Sequence, residues 1–142
     1  MVLSMSRVMV AKRPGKQGAG ATDAVAVFHH EYDRINQEVY GGELPAFPGV
    51  DLVDRLDLFS ATNTVGAGPW RRLRPFLLSR HVTGALLMET VRHEIAHAAA
   101  LLFDEDEEHG PAWRRHAKLC GAREIPTLDE GDPLRDGWPG DA

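Results

Sequence analysis

The chain has 142 residues, 43% hydrophobic and 26% charged, with a formal net charge of −5 and one cysteine. One domain of ordinary globular composition fits that length and can bury roughly two-thirds of its unfolded surface. This excludes a collagen, a coiled-coil rod, a disordered chain and a disulfide scaffold, and lone Cys120 excludes a four-cysteine zinc module.

Residues 1–22 carry Arg7, Lys12, Arg13 and Lys16 and no acid, leaving −9 on the rest. With Pro14, Gly15, Gly18 and Gly20, residues 1–21 read as a flexible basic tail. Arg7 and the neighbouring serines break the N-terminus as a secretory signal. No apolar run approaches the ~20 residues needed to cross a bilayer. The expected setting is cytoplasmic, away from membranes.

Thr22 or Asp23 can cap a first helix, in which Ala24, Phe28, Tyr32, Ile35 and Val39 recur at helical spacing as far as Tyr40. Gly41-Gly42 supplies a left-handed stop, and Pro45 and Pro48 forbid continuation. Residues 50–80 change character. Val50–Val53, Leu56–Phe59, Thr62–Val65 and Phe76–Leu78 carry short-period or β-favouring patterns, punctuated by Gly66, Gly68 and Pro69. They predict a small sheet of about three strands, mostly antiparallel because the connections are too short for helical crossovers.

A long helix is expected from about Thr83 to Phe103. Leu87, Val91, Ile95, Ala98 and Leu102 form one apolar face; Leu86, Thr90, His93, His97 and Leu101 line the other side. A helix apolar nearly all round belongs at the centre. After the acidic run Asp104–Glu108, Gly110-Pro111 opens a further helix that stops at Gly121. The Pro- and Gly-rich residues 124–142 read as an extended acidic tail. The expected class is therefore α+β, a small sheet packed on an N-terminal and a central helix, with one helix more.

The chemistry concentrates in His93-Glu94-Ile95-Ala96-His97. Histidines four apart on a helix share a face and can bind one ion through nitrogens at about 2.0–2.1 Å. Glu94 sits about 100° round the helix. It is poorly placed as a third ligand but well placed to hydrogen-bond water beside the metal, as metal-assisted hydrolysis requires. The pattern alone arises in roughly one or two of a hundred shuffled copies of this composition. Its position on the apolar side of a central helix is what argues for function, because buried imidazoles need partners. His109, past the loop, can return a third ligand.

His93–Ala98, followed by His109-Gly110-Pro111-Ala112-Trp113, resembles the SprT-like (Spartan-like) zinc metalloprotease domain, which carries HExxHA and then His-Gly-Pro-x-aromatic. Tyr40–Pro45, Val65–Arg72, Phe76–Ser79 and Lys118–Ala122 resemble its flanking segments, so the likeness spans about residues 23–122. It implies a zincin-like fold over residues 22–123. It also implies one catalytic Zn2+ held by His93, His97 and His109, with Glu94 as general base in the hydrolysis of protein or peptide substrates. Eukaryotic relatives act on proteins crosslinked to DNA. In this acidic chain weak DNA contact falls to the basic tail or to Arg71, Arg72 and Arg74. The chain is expected to be a monomer.

The alternatives are a non-catalytic zinc-bearing adaptor for protein or nucleic acid, and an enzyme for smaller amides. Glu94, which a purely structural site does not need, favours catalysis. Val65–Gly68 is the expected sheet edge for an extended substrate. His29, His30, His81 and His116 lack ligand spacing. Glu89 is either a group orienting His93 or a solvated helix-start carboxylate, and the Asp104–Glu108 run is either a solvated loop or an acidic lip. Trp113 is expected in the core, and Cys120 as a small buried hydrophobe.

Overall fold

The computed structural model describes residues 19–106 and 108–141. The basic tail expected over residues 1–21 therefore lies outside the described residues as far as residue 18. Helix α1 runs Ala19–Glu38, starting a few residues before Thr22. Ala24, Phe28, Tyr32 and Ile35 are buried along one face. Gly41 (φ 60°) and Gly42 (φ 86°) turn the chain left-handed after it. Asn36 pins the next turn, its side chain donating to Leu44 O at 3.1 Å and accepting from Leu44 N at 2.8 Å. Tyr32 Oη donates to Pro45 O at 2.7 Å.

Strands β1 (Val50–Val53), β2 (Ser60–Ala61), β3 (Thr64–Val65), β4 (Arg72–Leu73) and β5 (Phe76–Ser79) form two sheets. The three-stranded sheet has the order β1-β5-β2, with β5 wholly buried at its centre. Two of the three strand pairings are antiparallel, β2 with β5 and β3 with β4; β1 runs parallel to β5. That parallel pair is reached without an α-helix, because the connection between its strands is long enough to hold β2 and the β3–β4 hairpin with its 3-10 turn at Gly68–Trp70. Leu56–Phe59, expected as a strand, instead leads into the two-residue β2.

Helix α2 (Gly84–Asp104) crosses the centre. Ala96, Ala98, Ala99 and Ala100 are fully buried, small enough for neighbouring elements to pack closely against the helix. It ends at Glu105, left-handed at φ 54°. Helix α3 (Pro111–Cys120) stops at left-handed Gly121. Trp113 and Cys120 are buried as expected. The Cys120 thiol, pushed up to about 11 by burial, sits 3.6 Å from Tyr40 Oη. Among the described residues no helix is long and apolar enough to cross a membrane.

One expectation is corrected. Residues 124–141 do not extend away but fold back on the domain through 3-10 turns at Pro133–Arg135 and Pro139–Asp141. Trp138, 6% exposed, meets Phe59 edge-on at 4.6 Å. The Arg135 guanidinium lies over the same Phe59 ring, donates to Leu128 O at 2.8 Å and pairs with Asp141. A large aromatic side chain gains more by burial than the local prolines and glycines lose by ordering.

Glu31 joins α1 to α2. Its buried carboxylate pairs with Arg34 and Arg92, both at 2.8 Å, and these hold its pKa down to about 2, against the cost of burial. A depressed carboxylate stabilises the fold above its unfolded value near 4.5 and loses that contribution as pH falls towards 2. With both arginines partly exposed, we expect about 2 kcal/mol. Urea melts of wild type and Glu31→Gln should differ by that amount at pH 6 and converge near pH 2; a pH-independent gap would refute the assignment.

Candidate metal centre

Helical periodicity places His93 and His97 one turn apart on α2, and the loop after α2 brings His109 to the same point. The three Nε2 atoms form a triangle with sides of 3.2, 2.9 and 3.3 Å. A tetrahedral ion with 2.0–2.1 Å bonds holds its nitrogens about 3.3 Å apart. The donors present therefore fit zinc, and the three residues form a group able to hold one metal ion. Burial pushes His93 down to about 4 and His97 down to about 3, and lowers His109 too. At neutral pH all three imidazoles are thus uncharged, the form a metal needs.

Trp113 underlies this triangle, its ring 4.8, 5.3 and 4.7 Å from those of His93, His97 and His109. Its indole N–H points at His93 O, 3.4 Å away. Asp106 shapes the loop, its carboxylate accepting from Glu108 N at 2.9 Å and Trp113 N at 3.1 Å. It so caps the first turn of α3 from outside, where Gly110 offers no side chain. Asp106→Ala should free the loop and weaken zinc binding about tenfold, measured by competition with a chromogenic chelator. Asp106→Asn, which keeps an acceptor oxygen, should lose less; equal affinities throughout would remove Asp106 from the site.

Glu94 is 4% exposed. Both carboxylate oxygens are held by hydroxyls: Ser60 Oγ donates to Oε2 and Thr62 Oγ1 to Oε1. Burial raises its pKa, while these two donors and the nearby His109 pull the other way. The three histidines, Glu94, Ser60 and Thr62 line one cavity of about 590 Å³. Its lining comes from the stretch Leu56–Thr62 and from residues 125–141, including Leu128 and Trp138, which pack on each other where Trp138 meets Phe59.

The remaining candidates lie away from the cavity, except Glu89, which also lines it. Arg72 and Arg74 are exposed on the β3–β4 arm, where Arg71 donates to Thr64 Oγ1 at 3.1 Å. None of the three lines the cavity, nor do Val65–Gly68, the expected substrate edge. The edge at the cavity is β2. Glu89 accepts from Arg123 N at 2.8 Å rather than from a ligand, although its charge favours a protonated His93. His116 lies between Tyr40 Oη and Asp104, His81 pairs with Asp54, and His29 with Asp33. Ser60, Thr62 and the C-terminal wall were not singled out from sequence. Two small hydroxyls, 34 and 32 residues from Glu94, carry no local signal.

A family model described as the SprT-like family matches residues 28–130, a span containing the three histidines, Glu94 and both hydroxyl residues. No curated protein and no solved structure matches the chain.

Proposed function

The chain belongs to the SprT-like family, and from that premise we propose that it is a zinc-dependent endopeptidase acting on protein substrates. The observation that carries this reading is the convergence of three imidazoles beside a buried carboxylate in the wall of a cavity bordered by a sheet edge. His93, His97 and His109 would hold one zinc ion. When bound, zinc would lower the pKa of water and polarise the scissile carbonyl.

The chain's own residues supply the rest. Glu94 takes a proton from the attacking water and passes it to the leaving amine. Strand β2 offers a template for an extended peptide. Ser79 N donates to Phe59 O at 2.8 Å, so in an antiparallel ladder Phe59 and Ala61 face β5 and the Ser60 backbone faces the open edge.

We assign weak DNA contact to Arg71, Arg72 and Arg74 on the β3–β4 arm. Support comes from Trp70 at its tip, 80% exposed and able to stack on an unpaired base. The reading includes a cytoplasmic monomer.

The test compares zinc-loaded protein on an unfolded protein and on short peptides, with and without single-stranded DNA. Internal fragments of the unfolded protein support the endopeptidase. Turnover of short peptides alone would replace it with a peptidase for small amides, and bound zinc without any cleavage with an adaptor. A faster reaction with DNA, lost in Trp70→Ala, supports the arm; indifference to DNA removes it.

A further inference from the structure

The hydroxyl pair on Glu94 joins the base to the strand at the cavity's edge. Ser60 and Thr62 stand two apart, so their side chains leave the same face of the chain while Ala61 points away. Each gives one hydrogen bond to a different oxygen of Glu94, and Thr62 Oγ1 also lies 3.2 Å from Glu94 O. An ionised carboxylate only accepts, so both hydroxyl protons are committed to it. Its oxygens offer about four acceptor positions; with two taken, others stay free for water.

A glutamate on a helix has three rotatable side-chain bonds, and one buried without partners would swing or protonate. Here Ser60 on β2 and Thr62 just past its end fix both oxygens at once. The donor residue Ser60 also turns its own N–H and C=O to the open edge, as the ladder alternation requires.

We propose that Ser60 and Thr62 are positioning residues that hold the Glu94 carboxylate in one orientation and in register with the edge of β2. A peptide paired along that edge then meets the base at a fixed step. The kinetic half of this inference rests on the endopeptidase reading; the structural half does not.

The test uses the full-length protein with Ser60→Ala, Thr62→Val, the double substitution and Thr62→Ser. Crystal structures of the metal-free forms should show Glu94 in a single conformer in wild type and Thr62→Ser, and rotated or split in the double variant. With zinc, each single loss of a hydroxyl should lower kcat about 10- to 100-fold, with KM and zinc affinity unchanged. Thr62→Ser should restore the rate. If the hydroxyls merely tie β2 to α2, Tm falls while the Glu94 conformer and kcat stay as in wild type, which overturns the proposal. A double variant that does not fold leaves the single variants to decide on the same two readouts. If wild type cleaves nothing, the endopeptidase reading fails, and the Glu94 conformers still decide the clamp.

Discussion

Glu94→Gln should leave one zinc ion bound per chain and lower cleavage by about 10²- to 10⁴-fold, the range a positioned general base supplies. Glutamine has nearly the same shape, and a serine or threonine hydroxyl can turn to accept from its amide as readily as donate to its oxygen. The clamp from β2 therefore survives, as do the three imidazoles. What is lost is the ability to take a proton from water. The same change removes a carboxylate whose pKa burial already raises, so the variant should melt no lower than wild type. Metal analysis, a thermal melt and a cleavage assay on one preparation check all three. Unchanged cleavage would sink the assignment of Glu94.

The second large effect is expected at His109. A catalytic zinc site needs three protein ligands and keeps the fourth position for water. With His109→Ala only the two α2 histidines remain, and zinc affinity should fall at least about a hundredfold, beyond what loss of an orienting partner costs. His109 is half-buried and lies outside the hydrophobic core, so the metal-free variant should melt as wild type does. Calorimetric zinc titration, with a melt of the metal-free form, separates the two. Undiminished affinity would mean that His109 is not a ligand, whatever its distance from His93 and His97.

These residues were legible because their signal is local. His93 and His97 are read from helical spacing. His109 comes just past the end of the same helix and ahead of Gly110-Pro111, where a short loop turns the chain back. Helices α1 and α2 were legible for the same reason, since Ala24 to Ile35 and Leu87 to Leu102 repeat at a helical period, and α3 was legible from Pro111 at its start and Gly121 at its stop.

The other half of the site was not legible. Ser60 and Thr62 reach Glu94 through tertiary packing, and a serine two residues before a threonine looks like any surface strand. Prolines and glycines in residues 124–141 suggested a tail, but burial of Trp138 against Phe59 and the Arg135 bonds outweigh local preference. Val65–Gly68 looked like the substrate edge because it resembles the family's glycine-bearing strand. Pairing decides otherwise, since β3 joins β4 in a separate arm and leaves β2 at the cavity. Such pairings depend on contacts between distant residues, which no short window contains.

The most direct measurement is a zinc titration of chelator-stripped protein, following internal cleavage of an unfolded protein substrate by mass spectrometry. Cleavage should be absent without metal, rise with added zinc, level off at one equivalent, and vanish again on chelation. One equivalent of zinc taken up with no new fragment at any substrate concentration would contradict the account, leaving a metal-binding domain that does not hydrolyse protein.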